Sequence, residues 1–202
     1  IGADENSTSH YGRSKAQAEK LVLTAQPQTV IMRPSIMFGP EDDFFNRFAS
    51  LARMSPFLPL VGGGATRFQP VFVGDVATAI ADAVDGKLRG GATYELGGPE
   101  VRTFKELMQF VLATIERKRL LLPIPFFAAK FMGSVMQFMP KPMITPDQVE
   151  SLRTDNVVSD AAIKEGRTLP GIGIEPDSIE AIVPSYLWRF RKTGQFRTLP
   201  TV

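Results

Sequence analysis

Tyr11 and Lys15, four residues apart, are the first pair in this chain whose types and spacing can do chemistry. Four residues is about one helical turn, so on a helix both side chains share a face. An ammonium beside a phenol favours the phenolate and lowers its pKa. A phenol tuned in this way can exchange a proton with a carbonyl or an alcohol while hydride moves to or from a nicotinamide. The same lysine can hydrogen-bond the nicotinamide ribose. Spacing alone also fits an ordinary amphipathic surface pair, so the surroundings have to decide.

Composition removes several other chemistries. The chain has 202 residues, 44% apolar and 22% charged, enough to bury a core. It has no cysteine, which excludes a disulfide framework, a thiolate metal site and a cysteine nucleophile. A single histidine, His10, argues against a zinc site and against a Ser/His/Asp triad. Preceding Tyr11, it reads as a solvent-facing neighbour of a helix cap. The longest apolar stretch, Leu120 to Ala129, is broken by Pro123 and Pro125 and is about half a membrane span. No signal peptide heads the sequence, which opens on Ile1 rather than methionine and is expected to be a piece of a longer protein. A net charge of +2 is too mild to argue for a nucleic-acid partner. The charge is uneven: residues 1–100 carry −2 and residues 101–202 carry +4. A basic second half beside an apolar stretch suits a membrane surface or an acidic partner, and equally a solvated surface with chance imbalance.

The elements that must position the pair follow from local signals. Ser9 or Thr8 caps a helix starting at Tyr11, with Tyr11, Lys15, Ala18 and Val22 on one face. Strand formers run from Thr29 to Met32, ending at Arg33-Pro34. Asp42 or Asp43 caps a helix carrying Phe44, Phe45, Phe48, Leu51 and Ala52, and residues 55–66 read as a loop. Val71 to Val73 is a short strand; Asp75 caps a helix with Val76, Ile80, Ala83 and Val84 inward, stopped by Gly86. Ala92 to Leu96 is another strand. Thr103 with Glu106, and Thr145-Pro146-Asp147-Gln148, are two capping boxes. One helix is expected from about Pro176 to Lys192. Strands alternate with helices, which argues for an α/β layered domain, and helix predominates beyond residue 102.

The order of motifs is specific. After Tyr11-Gly-Arg-Ser-Lys15 come Arg33-Pro34-Ser35-Ile36-Met37-Phe38-Gly39-Pro40 and then Gln69-Pro70-Val71-Phe72-Val73-Gly74-Asp75-Val76-Ala77. This resembles the C-terminal half of an extended or atypical short-chain dehydrogenase/reductase, in the superfamily of the NAD-dependent epimerases and dehydratases. The run from Phe38 to Ser50, the segment Gln69 to Val73 and the segment Ile144 to Glu150 narrow the likeness. They are similar to the nucleotide-binding accessory subunits of respiratory complex I, in a bacterial version, over about Ser7 to Trp188.

The resemblance implies a fold of the α/β class: the C-terminal portion of a Rossmann-like parallel sheet domain, residues 1–100, with a small, mostly helical lobe and tail, residues 101–202. It implies a site in which Tyr11, Lys15, Pro34, Ser35 and Ile36 meet the cofactor, NADPH or NAD. Tyr11 and Lys15 would be the catalytic pair in an active relative and a retained binding pair in an accessory subunit. Arg67 would meet a substrate phosphate or carboxylate, as a similarly placed arginine does in related epimerases, or form a surface salt bridge. The implied partners are other complex I subunits of the peripheral arm and the membrane surface, with no nucleic acid. The implied place is the cytoplasmic face of a bacterial inner membrane, or the matrix side in a mitochondrion. The implied role is assembly or stability near the quinone site. The competing reading is a free-standing NAD(P)-dependent epimerase, dehydratase or hydroxysteroid-type reductase.

The family's opening strand, glycine-rich turn and helix are missing, and Gly62-Gly63-Gly64 does not replace them because no strand–turn–helix unit surrounds it. The choice between NADPH and NAD lies in that missing portion. Residues 120–143 are unusually apolar, from Phe126 to Phe138 on more than one helical face. They read either as a core helix or as a helix docked on a membrane or partner, with Lys130 and Lys141 at its polar edge. Arg189, Arg191, Lys192 and Arg197 then form a basic tail or a solvated terminus.

Overall fold

A computed structural model describes residues 1–138 and 144–194. Lys141 and Arg197, read above as a polar edge and part of a basic tail, lie outside the described residues.

Two strands form the part of the sheet nearest the Tyr–Lys pair. β1 (Ile31–Pro34) runs parallel to β6 (Thr93–Leu96), with Ile31 opposite Thr93 and Pro34 opposite Leu96. The ladder continues at both ends, where Ile31 N–H donates to Ala92 C=O at 3.0 Å and Ser35 N–H to Leu96 C=O at 2.9 Å. Beside them β2 (Met37–Phe38) pairs in parallel with β5 (Val71–Phe72). A short antiparallel pair joins β4 (Arg67–Phe68) to β7 (Arg102–Thr103). Parallel strands need crossover helices, and α2 (Phe45–Met54) and α3 (Val73–Val84) supply them, as an α/β layered fold requires.

The main core is aromatic. Phe38, Phe45, Phe68 and Phe104 are buried, with Phe44 and Phe48 packed against them. Ring centroids stand 5.2–6.3 Å apart in edge-on and tilted pairs, the arrangement that aromatic quadrupoles favour. The same cluster takes in Leu107, Met108 and Val111 of α4 (Phe104–Thr114) and Val183, Tyr186 and Leu187 near the C-terminus. It therefore draws on both sides of residue 100.

Both capping boxes form. Thr103 and Glu106 open α4, and Thr145 and Gln148 open α6 (Pro146–Ser151), with Pro146 in the first turn. Four expectations need correction. Residues 57–61 are not loop: Phe57–Val61 is β3, parallel to β8 (Leu120–Ile124) inside the region expected to be helical. Pro59 and Pro123 obscured this pair, but each strand of a two-stranded ribbon has an open side where a missing N–H costs no ladder bond. Asp75 does not cap α3, whose capping residue is Phe72. It sits in the first turn, buried, and accepts the Asp177 N–H at 2.9 Å. That inward carboxylate sets the helix phase, so Val76 and Ala79 are buried while Ile80 and Val84 face out. The helix expected from Pro176 to Lys192 is interrupted. α8 (Ile179–Ile182) and α9 (Pro184–Leu187) meet at Pro184, which supplies no N–H to the turn before it, and a 3-10 turn at Trp188–Phe190 follows. The inward face nevertheless survives, with Ile179 and Val183 buried. Finally, Phe44 rather than an aspartate occupies the capping position of α2. Asp42 still serves that helix from upstream, accepting the Asn46 N–H at 3.1 Å.

Candidate functional site

The Tyr–Lys helix is α1 (His10–Ala25). Ser9 caps it as expected, its hydroxyl accepting the Gly12 N–H at 3.4 Å. Of its 16 residues only Gly12 is buried. Tyr11 is 58% exposed, and Leu21 and Val22 also stand in solvent. The Lys15 ammonium lies 5.4 Å from the centre of the Tyr11 ring, so the pair shares one face and is in contact. Neither the Tyr11 hydroxyl nor the Lys15 ammonium has a hydrogen-bond or ion-pair partner among the described residues. Both polar ends are available to a ligand.

Arg33 fastens this helix to the sheet. Its guanidinium grips Glu19 of α1 with two bonds, Nε at 2.9 Å and Nη2 at 2.5 Å, while Nη1 faces Glu95 of β6 at 3.9 Å. The side-chain bond to Glu19 raises the Arg33 pKa, so the fork stays charged throughout the ordinary pH range. Immediately after Arg33 the strand ends in Pro34-Ser35-Ile36. Ser35 is buried, and its hydroxyl is committed to Asn156, donating to the carbonyl at 2.9 Å and to Oδ1 at 2.6 Å. Its N–H is committed as well, to the Leu96 C=O, so its hydroxyl and its amide are both engaged within the protein.

Arg67 stands apart from that group, on the β4–β7 pair. Its N–H and its Nε both reach Asp155 at 2.8 Å. The Asp155 carboxyl loses some acidity to burial, but the two Arg67 bonds outweigh this and hold its pKa below the usual value. The structure thus places Arg67 in a surface ion pair. His10 is exposed beside the cap, as expected. Gly62-Gly63-Gly64 forms a 3-10 turn after β3, with all three residues at positive φ. The Phe126 ring lies 2.4 Å from where a Gly62 Cβ would sit, and Lys105 crowds Gly64. This turn is packed against protein, not open as a phosphate cradle would be.

A residue that sequence reasoning did not single out holds the start of the site helix. Asp147 of α6 accepts the His10 N–H at 2.6 Å, the Tyr11 N–H at 3.1 Å and the Ser9 hydroxyl at 3.1 Å. Ser151 of α6 adds a hydroxyl bond to Ser9 at 3.0 Å. Burial works to raise the Asp147 pKa, but the two amides and the hydroxyl prevail and leave it lowered. The available signal was Asp147 just inside a proline-led capping box, yet a contact 137 residues away leaves no local pattern.

The lobe beyond residue 120 carries a second feature. α5 (Phe126–Met136) buries only Ala129 and Gly133. It packs on α6 through Gly133, where an added Cβ would come within 2.9 Å of Pro146 N. Lys130 pairs with Glu150 at 2.8 Å. On the other side Phe127, Phe131, Met132, Val135 and Phe138 are exposed, Phe131 by 73% and Phe138 by 85%. These rings are therefore not part of the core formed by the described residues. No helix among the described residues is long and apolar enough to cross a membrane.

The parallel strands, the Tyr–Lys helix and the Arg-Pro strand end together form part of a Rossmann-like α/β fold. The 3-beta hydroxysteroid dehydrogenase/isomerase family model matches residues 2–90. The dTDP-glucose 4,6-dehydratase of Bacillus anthracis, solved in complex with NAD, superposes with a TM-score of 0.62 at 19% identity, covering 89% of this chain and 51% of that one. The sequence is 39% identical over 204 residues to NADH dehydrogenase [ubiquinone] 1 alpha subcomplex subunit 9 of Arabidopsis thaliana, covering 96% of this chain and 50% of the relative. The rat subunit of the same name is 34% identical over 182 residues, 89% of this chain and 47% of that one. The chain is similar to these complex I subunits along nearly its whole length, and it spans about half the length of the relatives it matches.

Proposed function

We propose that this chain is the C-terminal half of a nucleotide-binding accessory subunit of NADH:quinone oxidoreductase, supporting assembly or stability near the quinone site. The observation that carries the reading is the 39% identity to the Arabidopsis subunit, maintained over 96% of the chain and therefore through the helical lobe as well as the sheet.

The residues present fit a dinucleotide. Lys15 has an ammonium free to donate to a ribose diol, and Tyr11 has a free hydroxyl on the same face. Pro34, Ser35 and Ile36 lie at the end of a parallel strand, the end at which ligands bind in open α/β sheets. The exposed face of α1 is where the glycine-rich half of such a protein would close over the cofactor. We assign that cofactor as NADPH, with NAD the alternative. When bound, it supplies a hydride donor or acceptor; Lys15 holds the ribose, and Tyr11 stands where a proton would be exchanged. The domain reading follows: residues 1–100 complete the dinucleotide-binding unit, and residues 101–202 form the lobe and tail. The partners are peripheral-arm subunits and the membrane surface, at the cytoplasmic face of a bacterial inner membrane or the matrix side in a mitochondrion.

One observation favours the competing reading of a free-standing reductase or epimerase: Tyr11 and Lys15 are both retained and in contact. Tyr11→Phe separates the two. In the accessory reading the variant leaves NADH:quinone turnover of the assembled complex near wild type, because electrons do not pass through this nicotinamide. In the enzyme reading an NADPH-linked turnover of a nucleotide sugar, steroid or quinone falls by about two to four orders of magnitude, the usual worth of a general acid.

A further inference from the structure

The contact between α6 and the start of α1 serves a purpose beyond fastening the lobe. We propose that Asp147 is a positioning residue for the nucleotide site, holding the first turn of α1 so that Tyr11 and Lys15 stand where the nicotinamide ribose needs them; this rests on the nucleotide-binding reading above.

The first N–H groups of α1 have no partner within the helix. Ser9 provides for the Gly12 N–H, and Asp147 provides for the two before it, His10 and Tyr11. The Tyr11 amide is thus bonded directly to a side chain from a distant part of the chain. A carboxylate is also the charge that the positive end of the helix favours. Among the described residues no other group accepts the His10 or the Tyr11 N–H. α1 buries only Gly12, and its other firm attachment, Arg33 to Glu19, lies two turns further on. With Asp147 removed, the turn that carries Tyr11 keeps the Ser9 cap, the Ser9–Ser151 bond and the local bonds from Arg13 to the Ser7 carbonyl and from the Asp4 N–H to the Gly12 carbonyl, but the His10 and Tyr11 amides lose their acceptor. Tyr11 then moves with the loosened turn, and Lys15, one turn along, moves with it. Displacement of about an ångström is enough to weaken an oriented contact severely.

The test uses the intact protein, purified with nucleotide bound, and follows NADPH release by the fluorescence of its reduced nicotinamide. Asp147→Ala is expected to speed release about tenfold, while thermal stability falls no more than for Thr103→Ala, which removes an equivalent cap at α4 far from this helix. Thr103→Ala should leave release unchanged. The effect of Asp147→Ala should largely vanish in a Lys15→Ala background, because both act on one contact. Asp147→Asn keeps one acceptor oxygen and should fall between wild type and alanine. Wild-type release from Asp147→Ala, with Lys15→Ala impaired, overturns this proposal and leaves the nucleotide site standing. If Asp147→Ala fails to fold and Asp147→Asn releases NADPH like wild type, the residue is structural and the proposal falls. If wild type itself holds no nucleotide, the site reading fails and the proposal goes with it.

Discussion

Replacing Phe131 and Met132 together with serine is expected to release the protein from membranes or from its respiratory complex while its nucleotide site stays intact. Phe131 is 73% exposed and Met132 43%, on a helix whose buried residues are Ala129 and Gly133. Neither side chain contributes much to the core, so their loss should cost the fold little. Docked against apolar partner surface or lipid, each would be worth about 1.5–3 kcal/mol. Removing both therefore weakens attachment by about two to four orders of magnitude, from the same area scale. Screening by salt acts on the lysines and arginines but not on the apolar contact, so raised salt alone should release wild type only in part. Flotation with vesicles and pull-down of the complex measure both effects. An unfolded double variant, together with a wild type that associates with neither membrane nor subunit, would show the segment to be core after all.

Lys15→Ala is expected to have the next largest effect, on nucleotide retention. The ammonium has no hydrogen-bond or ion-pair partner in the protein among the described residues, so its removal orphans nothing and leaves the fold alone. Bonds from a charged donor are worth about 1.5–3 kcal/mol each, so losing one or two weakens binding by about tenfold to several hundredfold or more. Tyr11→Phe keeps the ring that packs under Lys15 and should change binding much less. Nucleotide content after purification reads the difference. Equal retention by wild type and Lys15→Ala would take the cofactor role away from the pair.

The parts of this molecule that were legible in its sequence are those with local causes. Ser9, the Thr103–Glu106 box and the Thr145–Gln148 box each announce a helix start within four residues, and each forms. The short strands at Ile31 and Thr93 declare themselves by β-branched and aromatic runs, and they pair in parallel. What was not legible depends on partners distant in the chain. The β3–β8 ribbon joins two proline-bearing segments 63 residues apart in register, and proline argues against a strand until the open side of the ribbon is known. Asp75 looked like a cap because aspartate before a helical run usually is one; the Asp177 amide that draws it inward lies 102 residues on. For the site, the Tyr–Lys pair was legible from spacing. Its anchors were not: Glu19 for Arg33, and Asp147 for the helix start, are ordinary surface residue types until the fold brings them in.

On the function proposed above, this chain is part of a respiratory-complex subunit that holds a nucleotide it does not turn over. The most direct measurement is to solubilise native membranes mildly, isolate NADH:quinone oxidoreductase, and quantify this polypeptide and bound NADP(H) or NAD(H) in the same fraction. The polypeptide is expected to co-elute with the complex in fixed proportion, with about one nucleotide per copy resistant to washing, as dissociation slowed by charge-assisted bonds requires. Recovery instead as a soluble protein free of the complex, with an NADPH-linked turnover abolished by Tyr11→Phe, would contradict it.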